Sequence, residues 1–403
     1  HHRKQKCAHR LGLLEDIAEL DQRLKSNLDH LLYFHQAARF LSEERLPLAD
    51  ESDAFVGTYL SILFEDTAWI QKVFSTYLEQ ENGVEAIATA LAWMPPSHST
   101  PWIKKLLSSK DLQHKYLSLR TCELLNHYPR EALNRLINRD DCRKHTPLYK
   151  TLLSLLGRSR PEQNLIVLYA ATSHEDQDIR DAACQACLLS GDTRALDMAM
   201  HRSLESNEAF QIFAPLIVRS EVSQARQAWF TQALKKEEIA LELRILAVGD
   251  YGDSRGVPWL IHYMENPTYA PFAAYAFRQI TGLDLRKQKL VKADEASRFP
   301  RVEHTGSDGD GPDETFLEED NSLQFPDGDR LQQLWSEYRK HFIPGQRYVL
   351  GRQHAPKDLE YVEFLKSLKN TNILGDRVLV RRELAQLQIE PASSDFVPSQ
   401  YGE

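Results

Sequence analysis

The sequence predicts an all-α fold: a right-handed, HEAT-like helical-pair solenoid with an N-terminal helical cap and a small C-terminal module. Three observations carry this. An apolar helix, a Gly- or Pro-marked turn and a shorter helix recur along the chain from Gly83. The recurrence interval is that of helical-pair repeats. The pattern then stops at Gly282, where an Ala- and aromatic-rich helix, Tyr269 to Ile280, gives way to a charged stretch of different composition.

Taken in order, Leu11 to Leu46 reads as helix. Leu13, Leu14, Ile17, Leu20, Leu24, Leu28, Leu31 and Leu32 recur at three- and four-residue steps, and Pro47 stops the run. Residues 1–50 form the cap. A second helical region, Glu51 to Gln80, opens the solenoid of residues 51–282. The first helices of the following units end near Met94, Asn126, Gly157, Gly191, Arg219 and Gly252, at intervals of about 32, 31, 34, 28 and 33 residues. The Arg219 unit is the least regular. One such pair cannot bury its own apolar face, so neighbours must stack. The best unit runs Asp178-Ile179-Arg180-Asp181-Ala182-Ala183 and then turns at Gly191-Asp192. An acid there favours the positive end of the helix dipole. Ala182, Ala183 and Ala186 allow neighbouring helices to approach closely. The tetratricopeptide pattern fits less well, because its large and small residues are not at their fixed places.

Residues 283–329 read as a linker, basic at first. From Glu303 to Asp329 it holds ten acids and no Lys or Arg. Residues 330–403 form the small module: a helix from Leu331 to Phe342 stopped by Pro344-Gly345, the RYVLG segment, a helix near Asp358 to Leu368, and a basic stretch near Val378 to Leu384. Phe325, Pro326, Trp335, Phe342 and Tyr348 are expected to seal this module against the solenoid end, which needs covering.

At 42% hydrophobic and 27% charged residues the composition is that of an ordinary globular protein. No apolar run approaches the roughly 18 residues needed to cross a bilayer. The first residues, HHRKQKCAHR, lack the apolar segment of a signal peptide, and His1-His2 carry no assigned role. Five scattered cysteines suit a reducing cytoplasm. A net charge of −9 argues against a general nucleic-acid binder.

Candidate chemistry is sparse, and no catalytic, cofactor-binding or metal-binding residue is expected. Cys184 and Cys187 lie in an Ala-rich repeat helix with no second ligand pair, so they read as buried thiols. From Asp308 the calcium-loop spacing fails, because Pro312 and Asp313 stand at its fifth and sixth positions. A looser cation site in the acidic stretch is the remaining form of that idea. No HExxH, GxSxG, P-loop or GxGxxG occurs. Asp140-Asp141 and Glu318-Glu319-Asp320 read as solvated turns.

Pro101 to Arg160 is the exception in charge, with thirteen basic residues against five acids, +8 in a chain of −9. Ordinary solvated helix faces are one explanation. The acidic linker folding back is another, although exposed pairs contribute only about 0–1 kcal/mol each. As a binding face for an acidic protein or for nucleic acid, the residues singled out are Lys104, Lys105, Lys115, Arg120, Arg135, Arg139, Arg143 and Lys144.

The junction also carries a family resemblance. AAYAFRQITGLDL, DNSLQFPDGD, LWSEYRK and HFIPGQRYVLG follow in order. This series resembles a family of bacterial proteins associated with type VI secretion loci, with an A-x-E-A-F…ITG-x-DL signature, an LP-x-PDP-like motif and an F-x-x-G-x-RYLLG segment. The signature positions are Phe277, Thr281, Gly282, Asp284, Leu285, Pro326, Asp327, Trp335, Gly345, Arg347, Tyr348 and Gly351. Tyr275 stands where the family has an acid, and QFPDGD replaces the proline-flanked motif. The family is defined by motif and gene context, so the resemblance implies a setting and supplies no catalytic residue. The expectation is a non-enzymatic scaffold that grips an effector or a secretion component on the concave solenoid face, as adaptor or chaperone. An immunity protein that neutralises a toxin is the first alternative. A HEAT-like nucleic-acid binder or DNA glycosylase is the second.

Overall fold

The computed structural model describes residues 14–46, 50–80, 82–159, 165–220, 223–285, 287–291, 326–371, 373–387 and 389. Among them are twenty-one α-helices and one two-stranded hairpin, an all-α fold of helix pairs. Residues 303–325 of the acidic stretch, with the calcium-like loop from Asp308 and Phe325, and most of the linker lie outside the described residues. The chain divides into two compact units, Ile17–Asp192 and Thr193–Glu390, so the repeat region read as 51–282 is shared between them.

The first unit opens with α1 (Leu14–Tyr33) and α2 (His35–Arg45), where sequence periodicity implied one continuous helix. The break falls at Phe34, whose backbone leaves the helical region at φ −118°, ψ 51°. The ring of His35 stacks on Phe64 at 4.0 Å and the indole of Trp69 donates to Ser42 Oγ. These contacts orient α2 on the next helix pair, which a straight extension of α1 would miss. Then follow α3 (Glu51–Leu63), α4 (Thr67–Tyr77), α5 (Gly83–Trp93), α6 (Pro96–Ser108), α7 (Leu112–Leu124), α8 (Arg130–Leu136), α9 (Asp140–Lys144), α10 (Thr146–Ser159), α11 (Leu165–Ala171) and α12 (Gln177–Leu189).

The first helices α3, α5, α7, α10 and α12 touch in succession. The second helices back them: α4 on α3, α6 on α7, α8 and α9 on α10, and α11 on α12. Starts are set by acids. Asp50, Asp66, Asp111 and Asp176 accept from backbone N–H groups in the first turns of α3, α4, α7 and α12. Each such cap contributes about 1 kcal/mol. Asp176, not Asp178, is therefore the cap of the best repeat; Asp178 sits in its first turn and pairs with Lys150 at 2.8 Å. The alanine stripe has the effect its small side chains allow. Gly157 of α10 lies so close to Ala186 of α12 that a Cβ would overlap that residue's backbone.

The second unit holds α13 (Leu196–Ser203), α14 (Asn207–Ile217), α15 (Gln224–Lys235), α16 (Leu241–Tyr251), α17 (Val257–Tyr263), α18 (Ala270–Thr281), α19 (Gly328–Tyr338), α20 (Leu359–Ser367) and α21 (Leu374–Gln386). Its first helices α14, α16 and α18 again touch in succession, with α13 on α14 and α17 on α18. The six helix ends read from sequence fall at Trp93, Leu124, Ser159, Leu189, Ile217 and Tyr251, each within two residues. Antiparallel β1 (Tyr348–Val349) and β2 (Arg352–Gln353) form the hairpin. The basic stretch near Val378, whose structure sequence left open, is the interior of α21.

One hydrophobic cluster of this unit joins Ile245, Val248, Leu260, Phe277 and Ile280 to Leu331, Trp335, Phe342 and Tyr348. Trp335 meets Phe277 edge-on at 6.5 Å and Phe342 at 5.4 Å. The C-terminal module thus buries its aromatics on α16, α17 and α18. A second cluster gathers Val349 and Leu350 with Tyr361 and Leu365 of α20 and Leu379, Val380 and Leu384 of α21.

Candidate functional site

In Ile17–Asp192 the eight basic residues separate by helix layer. Lys115, at the start of first helix α7, is 4% exposed, and its Nζ donates to the carbonyls of Leu107 and Ser109 at the end of α6. Burial pushes its ammonium pKa down, and the nearby Arg139 and Arg135 guanidiniums push the same way. It closes the α6–α7 turn and offers nothing to a partner. Arg120, on the same helix, donates to Glu85 of α5 at 2.7 Å and to Glu123 of its own helix. Glu123 in turn accepts from Ser154 of α10 and lies 3.5 Å from Arg158. Burial alone would raise the Glu123 carboxyl, but Arg158 and Arg120 outweigh it and hold it low. This run of charge ties α5, α7 and α10 together.

Of the remaining residues, Lys104, Lys105, Arg135, Arg143 and Lys144 lie on second helices and Arg139 immediately precedes α9. Arg143 is half-buried and donates to the Ile137 carbonyl at 2.9 Å. Arg139 pairs with Asp141, whose carboxyl that contact holds at about 2, and Asp140 and Asp141 are exposed in the first turn of α9. Lys105 is exposed, its Nζ 4.2 Å above the Trp102 ring. Lys104, Arg135 and Lys144 are exposed, and among the described residues no acid pairs with them. Of the eight residues, those left exposed without an acid partner among the described residues are on α6, α8 and α9, off the row of first helices.

In Thr193–Glu390 the twelve signature residues meet at one junction. α18 ends at Gly282, in the left-handed region at φ 71°, where a Cβ would run into the Leu350 carbonyl. Just inside that end, Thr281 Oγ1 donates to the Phe277 carbonyl and accepts from Leu283 N–H. Leu350 and Gly351 N–H groups donate to the Gln279 and Ile280 carbonyls, and Tyr348 N–H donates to that of Gly252. The Tyr348 hydroxyl accepts from Ile343 N–H, and the Asp253 carboxylate accepts from Gly345 N–H. Asp284 lies 3.4 Å from Arg278, and Leu285 is buried in the cluster around Phe277. Pro326 bridges to Val291, and Asp327 caps α19. Tyr275 donates its hydroxyl to the Gly375 carbonyl at 3.0 Å. These positions are the joinery of the module.

Beside it lies a buried charge network that motif reading missed. Arg219, 2% exposed at its side chain, donates to Asp250 at 2.8 Å and to Glu383 at 2.7 Å. Arg347 donates to both oxygens of Glu383. Arg278 clasps Asp376 at 2.7 and 3.1 Å. Burial would lift the Glu383 carboxyl, yet Arg347 and Arg219 prevail and hold it at about 2. His354 lies 3.9 Å from Glu383, and burial, helped by Arg347, pushes its imidazole down to about 4. The one available signal was charge inside apolar text: Asp250 in LAVGDYGD, Arg278 in AAYAFRQI and Glu383 in VLVRREL.

Cys184 and Cys187 are buried in α12, and burial raises the Cys184 thiol to about 12. Among the described residues no three His, Cys, Asp or Glu side chains are grouped to hold a metal ion, and no helix is long and apolar enough to cross a membrane. Fold and junction together define an all-α protein of stacked helix pairs with a C-terminal module built onto its last pairs. Comparison with protein-family models, with curated proteins and with solved structures returned no match.

Proposed function

We propose that this chain is a non-enzymatic protein-binding scaffold of a type VI secretion system, holding an effector or a secretion component as adaptor or chaperone. The observation that carries the reading is the placement of charge in Ile17–Asp192. Basic side chains on first helices are consumed internally, whereas Lys104, Arg135 and Lys144 on second helices stay exposed and unpaired by acids among the described residues. The partner surface is then the second-helix layer of α6, α8 and α9, with Lys105 on Trp102 at its edge. An acidic partner face suits it, since opposed charge speeds encounter and fixes register more than it adds affinity. The secretion setting rests on the ordered motif series from Ala273 to Gly351.

The test is a pull-down from the native cytosol with the full chain and with its Lys104→Glu/Arg135→Glu/Lys144→Glu variant. A stoichiometric protein is expected with the first and at least tenfold less with the second. Equal recovery from both would remove the basic layer from the interface. Recovery of nucleic acid alone would overturn the scaffold reading.

A further inference from the structure

In Thr193–Glu390 the chain's own α21 is tied to the row of first helices by side-chain bonds. No residue of α21 is exposed. Near its N-terminus Arg278 of α18 clasps Asp376, and Tyr275 of α18 donates to the Gly375 carbonyl. Toward its C-terminus Glu383 accepts from Arg219, in the turn that closes α14, and Arg219 is held from its other side by Asp250 of α16. Asp376 and Glu383 are seven residues apart, two helical turns and about 10 Å of rise, so both carboxylates project from one face.

Leu379 and Val380 lie between the two carboxylates on the same side of the helix, yet they belong to another cluster. Leu379, Val380 and Leu384 pack with Tyr361 and Leu365 of α20 and with Val349 and Leu350 of the hairpin. The cluster containing Phe277, Ile280 and Trp335 is a different one. The α20–α21 lobe therefore shares a small core with the hairpin, Arg347 of the hairpin holds Glu383 from that side, and the bonds from the first-helix row to α21 are the buried pairs from Arg278 and Arg219 with the Tyr275 hydroxyl. Desolvation offsets much of the Coulomb gain of such pairs, so they fix position more than they add net stability. A helix held this way is built as a docked ligand is.

We propose that the α14–α16–α18 face is a groove for helices presenting two carboxylates seven residues apart, and that α21 fills it in cis until a partner helix of that kind replaces it. This rests on the scaffold reading but involves neither the basic layer nor a secretion component. Two measurements on the full chain test it. In native-state hydrogen exchange at low denaturant, α21 amides are expected to exchange at least tenfold faster than those of α16 and α18, through an opening of the lobe alone. Equal protection would mean that α21 opens only with the whole unit, and the proposal would fall.

In the second, a labelled peptide of Ile373–Leu387 is titrated against the full chain and its Asp376→Asn/Glu383→Gln variant. The peptide should bind the variant at least tenfold more tightly than the unaltered chain, because the cis competitor is weakened. A peptide carrying the same two amides should bind neither. A folded variant that takes up both peptides alike, or neither, overturns the groove as a reader of carboxylates. Should the variant fail to fold, the exchange measurement decides alone. Failure of both leaves the pull-down on α6, α8 and α9 to stand or fall by itself.

Discussion

His354 is the side chain whose surroundings most directly set a solution property. Its ring meets Tyr361 edge-on at 5.5 Å, and Arg347, Arg226 and Arg219 add to burial in disfavouring its proton while Glu383 favours it. The folded protein therefore keeps it neutral down to about pH 4, whereas an unfolded histidine protonates near 6.5. Lowering pH from 6.5 to 4 protonates the unfolded chain first, so stability falls across that window. Glu383 acts in the same direction later, its contribution being lost as pH drops from about 4.5 through about 2. Urea unfolding at pH 7 and pH 5 should show His354→Gln losing about 2 kcal/mol less than the unaltered chain over that interval. Equal losses would mean that His354 titrates in the fold as it does in the unfolded chain.

At the level of elements, the decisive contact is α19 on α17 and α18. Trp335 is 6% exposed between Phe277 and Phe342, in the cluster that also holds Leu331 and Tyr348. Trp335→Ala removes that side chain from a packed site and should cost about 3–5 kcal/mol, read from the denaturation midpoint. An unchanged midpoint would show that the module is not packed on the repeat. Legibility followed the range of the forces involved. Helix ends were readable because Gly252, Gly282 and the Pro95-Pro96 break act locally, and the recurrence near thirty residues identified the pairs. The α1–α2 break was not readable, because it depends on His35 meeting Phe64 and Trp69 some thirty residues on. Lys115 and Arg120 looked like free charge for the same reason, since their partners, Ser109 and Glu85, are defined only once helices stack. The network of Arg219, Asp250 and Glu383 spans 164 residues of sequence, and its one local sign is a charge set inside apolar text, which does not say what pairs with it.

For the whole molecule, charge decides between the remaining classes of partner. The chain carries −9 overall while Pro101 to Arg160 carries +8, so the basic layer sits in an otherwise strongly acidic molecule. A duplex-binding protein gains affinity by releasing counterions from several phosphates, each needing an accessible Lys or Arg. Here Lys115, Arg120 and Arg139 are engaged by backbone carbonyls or acids, which removes three of the thirteen basic side chains of Pro101 to Arg160 from that set. The surplus of acids elsewhere would repel a polyanion at long range, and low salt lengthens that repulsion as much as it strengthens attraction. A protein partner needs only a local acidic face of matching size and is not bound by this limit. The expected outcome is no mobility shift of duplex DNA by the full chain at about 50 mM salt or below, under conditions where the protein partner proposed above still co-purifies. A shift that disappears steeply with added salt, and that Lys104→Glu/Arg135→Glu/Lys144→Glu abolishes, would instead make the basic layer a nucleic-acid surface.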